Sequence, residues 1–188
     1  AILSGKINFI LGKGLAYNPK GLTDEQKAIT ENFMKFFKDK DKERLIVQDF
    51  EYFSVGETGF GTGLNILALW QLWQQIRPNN HSHLHAISVE KFPLSKADLI
   101  RALNVWPELK PLADQLIEQY PLPIAGCHRL SFPNERFSID LWLGDAQDVF
   151  PVIPKTTQVN AWFLDGFAPS CNPDIWAEKV LNNIVRLS

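Results

Sequence analysis

An apolar, aromatic and β-branched stretch over residues 45–55 runs directly into Gly56-Glu57-Thr58-Gly59-Phe60-Gly61-Thr62-Gly63. A helical pattern follows, in which Leu64, Leu67, Ala68 and Leu72 recur at helical spacing. A strand that meets a helix across a loop of glycines is the seed of an α/β sheet. The alternation then continues. Residues 84–90 read as a strand, 95–103 and 111–119 as helices, and 137–143 as a strand closed by Gly144-Asp145. Residues 159–164 form a short, nearly all-apolar strand, and 174–187 are again helical. Strands of this kind predict a parallel sheet covered by helices on both faces. Ligands of such sheets bind beyond the carboxyl ends of the strands. Four strands here end in Glu57, Glu90, Asp145 and Asp165, which a core does not require.

Composition narrows the class of function. The chain of 188 residues is 45% hydrophobic with six Trp and thirteen Phe, enough apolar surface for one packed domain and too much for a disordered chain. Lys plus Arg number 19 against 21 acids, a formal charge of −2, so contact with nucleic acid requires a local patch. Cys127 and Cys171 sit in no metal-ligand spacing and cannot frame a disulfide scaffold, which points to a reducing cytoplasm. No run reaches the ~18 apolar residues of a membrane span, and Lys6 interrupts the short apolar N-terminus, so neither a membrane anchor nor a signal peptide is expected. Two regions are expected: an N-terminal segment, 1–44, and the sheet-forming domain, 45–188. Within the first, Thr23 and Gln26 make a capping-box pattern ahead of an amphipathic helix over 23–38. A charged run over 35–44 reads as a solvated face or linker.

The loop itself selects among ligands. Gly59, Gly61 and Gly63 let a ligand approach the backbone, and the following helix offers free N–H groups, although a tight structural turn is the alternative. Leu64 stands where a dinucleotide fingerprint needs Gly or Ala, and no Gly-Lys-Ser/Thr is present. Glu57 at the head of the loop would repel a phosphate and favour a cation. S-adenosylmethionine carries a sulfonium and an ammonium, and no phosphate.

Glu90 ends the next strand, where an acid accepts from two ribose hydroxyls. Asp145 suits an adenine amine, with an ordinary Gly-Asp turn as the alternative. Asp165 emerges from Trp162-Phe163-Leu164 into a loop fixed by Gly166 and Pro169, a setting that raises proton affinity as a general base needs. Phe167 either stacks on a flat acceptor base or simply packs. His81, His83 and His85 alternate on one face near a strand start and read as surface residues of a turn, with no zinc set completed. His128 and Arg129 are candidates to touch substrate, and Cys171 reads as inert.

At these residues the chain resembles one family. Glu57-Thr58-Gly59-Phe60-Gly61-Thr62-Gly63-Leu64-Asn65, Ser88-Val89-Glu90-Lys91-Phe92-Pro93-Leu94, Gly126-Cys127-His128-Arg129-Leu130 and Ala161 to Pro169, with Asn172-Pro173 and Trp176, resemble the methyltransferase domain of the MnmC type. That family's bifunctional bacterial enzyme completes 5-methylaminomethyl-2-thiouridine at the tRNA wobble position. The resemblance runs from about Phe53 to the end of the chain. It implies a class I S-adenosylmethionine-dependent methyltransferase fold, a Rossmann-like, mostly parallel sheet with helices on both faces. It also implies that Glu57, Gly59, Phe60, Gly61 and Gly63 hold the methionine portion, Glu90 the ribose and Asp145 the adenine, with Lys91 also binding the cofactor. Asp165 would then sit beside the transferring methyl, and Phe167 and Pro169 would meet the substrate. tRNA is the implied partner. FAD enters only with a fused or separate oxidase domain, for which nothing here corresponds.

Two departures stand out. Cys171 replaces a residue that the family usually has as basic. The chain also stops at Ser188, before the further strands of a class I fold, so an exposed hydrophobic edge is expected at 159–164, with C-terminal strands missing.

The expected reaction is methylation of the primary amine of 5-aminomethyl-2-thiouridine, with no metal. A free alkylammonium has a pKa near ~10, so a proton must leave before nitrogen attacks, and Asp165 is the expected acceptor. In-line alignment supplies much of the rate. The competing readings are a methyltransferase for another amine or a small molecule, and a non-catalytic RNA-binding remnant; a dehydrogenase is disfavoured by Leu64.

Overall fold

A computed structural model of the chain describes residues 8–10, 51–77, 81–164 and 172–188. Six strands form one sheet: β1 (Asn8–Ile10), β2 (Tyr52–Thr58), β3 (His83–Glu90), β4 (Gly126–Phe132), β5 (Phe137–Leu143) and β6 (Ala161–Phe163). Their spatial order is β1-β6-β2-β3-β5-β4. All neighbours are parallel except β4, which runs antiparallel to β5 at one edge. The helices are α1 (Leu64–Ile76), α2 (Lys96–Leu103), α3 (Lys110–Gln119), α4 (Ala146–Val152) and α5 (Glu178–Leu187).

Strand alternation sends successive side chains to opposite faces, and each face has its own core. Phe53, Val55, Leu84, Ala86, Phe137, Ile139 and Leu141 pack with Ile66, Leu67, Trp70, Leu99, Leu112 and Leu116 of α1, α2 and α3. On the other face, Ile87, Val89 and Trp162 pack with Phe150 of α4 and with Val180, Ile184 and Leu187 of α5. Both faces of the parallel strands are therefore buried, as their near-continuous apolar sequence requires. Gly56 is the point of closest approach: a methyl group there would lie 2.4 Å from Cε3 of Trp162.

The structure differs from the sequence reading in four places. The edge at β6 is not open. Asn8–Ile10 pairs with Ala161–Phe163 in parallel, so residues from the N-terminal segment join the same sheet. The expected helix over 23–38 lies outside the described residues. β4 and α4 add two elements that composition hid: β4 is an edge strand whose side chains are mostly outside the core, and α4 carries Pro151 within it. Asp174–Trp176 forms a separate 3₁₀ turn ahead of α5.

Of the three histidines, His81 is exposed in a bend ahead of β3, as expected, and the other two are not surface-turn residues. His83 and His85 lie within β3, and His85 is buried. Its Nδ1 meets Ser138 Oγ at 2.9 Å and its Nε2 lies 3.3 Å from Asp140 Oδ2. Burial alone would raise the Asp140 pKa, but hydrogen bonds from His85 and Arg129 outweigh it and hold the carboxyl at about 2. Arg129 pairs with Asp140, with Nη2 at 2.6 Å. His128 hydrogen-bonds the Ile124 carbonyl at 2.6 Å. Cys127 is exposed and free, and burial of its thiol within the edge, with Asp140 nearby, pushes its pKa up to about 11.

Candidate functional site

The carboxyl ends of β2, β3 and β5 carry the sequence-predicted acids to one edge of the sheet. Register fixes this arrangement: Glu57 pairs with Ser88, and Glu90 with Leu143, two residues before Asp145. The glycine loop bridges β2 and α1 over these ends. Gly59 and Gly63 adopt φ of +117° and +71°, a region in which a side chain is strained. A methyl group placed on Gly59 or Gly61 would meet no atom within 4 Å, so the space above the loop is open. Gly63 differs, since a methyl group there would strike Phe60 at 2.6 Å. Phe60 itself is buried and stacked on Tyr120 at 6.1 Å, so its ring supports the loop from within the core.

Glu90 closes the loop from the β3 side. Its Oε2 accepts from the Gly61 N–H at 2.8 Å and its Oε1 from the Phe92 N–H at 2.7 Å. The side chain is only half-buried. Each carboxylate oxygen has two lone pairs, so both oxygens retain acceptor capacity toward the open space.

Asp145 caps α4, its Oδ1 accepting from the Gln147 N–H at 2.9 Å. Its Oδ2 lies 2.7 Å from Lys91 Nζ. The Lys91 hydrogen bond, followed by that from Gln147, lowers the Asp145 pKa, and the same contact raises that of Lys91. Gly-Asp is thus both a turn pair and a cap, and one oxygen face is still available. Phe92, next in the chain, is 78% exposed beside this pair.

Glu57 occupies a different position from the one its motif suggests. It is 0% exposed, beneath the loop rather than in it. Its Oε2 accepts from Ser88 Oγ at 2.6 Å and its Oε1 from Asn65 Nδ2 at 3.0 Å. Ser88 and Asn65, neither singled out as site residues from sequence, are the residues that sequence reasoning missed. The signal available was the β2–β3 register, which sets Ser88 opposite Glu57. Asp165, Phe167, Pro169 and Cys171 lie outside the described residues. The described chain reaches Leu164, buried at the end of β6, whose neighbour Phe163 pairs with Glu57.

Among the described residues no group of His, Cys, Asp and Glu has the arrangement of a metal site, and no helix is long and apolar enough to cross a membrane. The site is instead an open backbone cradle bordered by acids. A cationic nucleoside fits it: acceptors at Glu90 for hydroxyls, an acceptor at Asp145 for an exocyclic amine, and a glycine floor. The first turn of α1 carries no acidic side chain, so no side-chain charge there repels a ligand carboxylate at the helix N-terminus.

The chain is similar to known methyltransferases. Residues 107–188 match a family model described as S-adenosyl-L-methionine-dependent methyltransferase. Over 147 residues the chain is 76% identical to the tRNA 5-methylaminomethyl-2-thiouridine biosynthesis bifunctional protein MnmC of Acinetobacter baylyi, covering 78% of this chain and 24% of that protein. The protein of the same name from Aeromonas salmonicida is 49% identical over 140 residues, covering 72% of this chain and 21% of that one. The chain therefore spans about a quarter of the length of these relatives. The crystal structure of MNMC2 from Aquifex aeolicus superposes with a TM-score of 0.55 at 25% identity, covering 78% of this chain and 42% of that one. The sheet with helices on both faces is that of a class I methyltransferase.

Proposed function

We propose that this chain is a methyltransferase domain of the MnmC type, as its 76% and 49% identity to MnmC proteins supports, and that it transfers a methyl group from S-adenosylmethionine to the primary amine of 5-aminomethyl-2-thiouridine at the tRNA wobble position. The observation that carries this reading is the open glycine loop held by Glu90, with free space above Gly59 and Gly61.

The residues divide the work. Glu90 accepts from the ribose hydroxyls through the lone pairs that Gly61 and Phe92 leave unused. Asp145, held in place by Lys91 and Gln147, accepts from the adenine amine. The backbone of Gly59, Gly61 and Gly63 lines the methionine arm, with Phe60 beneath. Bound there, the donor supplies an electrophilic methyl on a sulfonium. Asp165 orients the acceptor amine and takes its proton, which frees the nitrogen lone pair for attack. Phe167 and Pro169 border the acceptor base. Alignment of nitrogen, methyl and sulfur supplies much of the rate.

In this reading the protein works in the cytoplasm on tRNA, and FAD belongs to an oxidase activity of the bifunctional relatives rather than to these residues. A second reading, a transferase for a free amine or small molecule, is favoured by charge. Among the described cations, Arg77, Lys91, Arg101, Lys110 and Arg129 each sit in an ion pair. The deciding experiment supplies labelled S-adenosylmethionine with tRNA bearing the aminomethyl group and with the free nucleoside. Label in tRNA supports the first reading; label in the nucleoside alone supports the second; label in neither removes both.

A further inference from the structure

The resemblance gives Glu57 to the methionine portion of the donor, yet among the described acids of the site it is the one with no exposed surface. Glu90 and Asp145 are both part-exposed and keep acceptor capacity toward the open space. Glu57 instead ties three elements together. It stands on β2, receives Ser88 Oγ from β3, and receives Asn65 Nδ2 from the first turn of α1. The 2.6 Å contact with Ser88 has the length of a charge-assisted hydrogen bond. These three elements border the glycine loop, and Gly63, the N-cap of α1, offers no side chain to secure it.

We propose that Asn65 and Ser88 are positioning residues for donor binding: through the buried Glu57 carboxylate they fix the glycine loop and the start of α1, and Glu57 does not touch the donor. The inference rests on the methyltransferase reading above. It changes the role of Glu57 from a ligand contact to the keystone of the cradle. The loop is then held from two sides, by Glu90 at Gly61 and by Glu57 through Asn65. Loss of either donor removes one of the bonds that tie β3 and α1 to the buried carboxylate, and lets the first turn of α1 shift away from the loop.

Titration calorimetry with two nucleosides separates this role from direct contact. S-adenosylhomocysteine carries the amino-acid arm; 5′-methylthioadenosine lacks it. Binding of S-adenosylhomocysteine by the unaltered protein checks the methyltransferase reading itself, and no binding overturns that reading. Given binding, Asn65→Ala, Ser88→Ala and Glu57→Gln are each expected to weaken S-adenosylhomocysteine by a similar factor, about tenfold, and 5′-methylthioadenosine by less, because the loop they hold lines the methionine arm. The Asn65→Ala/Glu57→Gln double variant should be no weaker than the weaker single, because both break one linkage. In turnover, KM for the donor should rise while kcat at saturating donor stays within about twofold, a split that general loss of fold does not produce. Asn65 is only part-buried, so Asn65→Ala decides the matter should Ser88→Ala fail to fold. Three results overturn the proposal: Asn65→Ala binding both ligands like the unaltered protein, Glu57→Gln weakening S-adenosylhomocysteine far more than Asn65→Ala and Ser88→Ala do, or the two losses multiplying in the double variant.

Discussion

The Glu90 carboxylate receives the Gly61 N–H at 2.8 Å, so a single side chain at the end of β3 holds the midpoint of the glycine loop that follows β2. The two residues lie on adjacent parallel strands and their loops, and the bond fixes the height of the loop above the sheet. It also leaves that oxygen a second lone pair with which to accept from a ligand, as the proposed ribose contact requires.

Replacing Glu90 by Ala therefore removes a loop anchor and a ligand acceptor together. The donor's Kd should rise at least about tenfold, because hydrogen bonds to a charged group are among the stronger ones. The thermal midpoint should change little, since the side chain is half outside the core. Calorimetry and a thermal melt on the same sample check both statements.

Gly56 and Gly59 should respond oppositely to enlargement. Gly56→Ala drives a methyl group into buried Trp162 at 2.4 Å and should destabilise the fold by about 1–3 kcal/mol in a denaturant titration. At Gly59 the space is open but φ is +117°, so Gly59→Ala should cost about 1 kcal/mol of backbone strain. Its added methyl group also stands where the donor would lie, so the larger effect should appear in donor binding.

Stability should fall at acid pH through Asp140. Its folded pKa of about 2 lies below the ordinary 3.8, so the folded state binds fewer protons than the unfolded chain in that window. The stabilisation is complete above pH ~4 and is lost as pH drops from about 4 to about 2. A pH series of denaturant midpoints should show this loss, and Asp140→Asn should flatten it.

Asp165→Ala should abolish methyl transfer while leaving the donor's Kd within about twofold, as expected for a group that acts on the acceptor rather than on the donor. Unchanged turnover by that variant on tRNA carrying the amine would remove Asp165 from the mechanism.

The parts of the fold written in local pattern were readable from sequence. β2, the glycine loop, α1 and β3 follow from apolar runs and glycine spacing, and these elements place Glu90. What escaped depended on distant partners. His85 carries no sign in its own neighbourhood that Asp140 and Ser138 await it on β5. Ser88 meets Glu57 only through the β2–β3 register, and Asn65 only because α1 starts directly over that pair. β4 lacked the apolar run of its neighbours because it lies at an edge, and Pro151 disguised α4. The covering of β6 by Asn8–Ile10 joins residues too far apart in sequence for any local signal.

The most direct measurement is calorimetric titration of the protein with S-adenosylmethionine, repeated on Gly61→Val. Saturable one-site binding that the valine abolishes, with the fold intact by circular dichroism, is the predicted result. Absence of binding in the unaltered protein, or binding that survives the valine, would contradict the account.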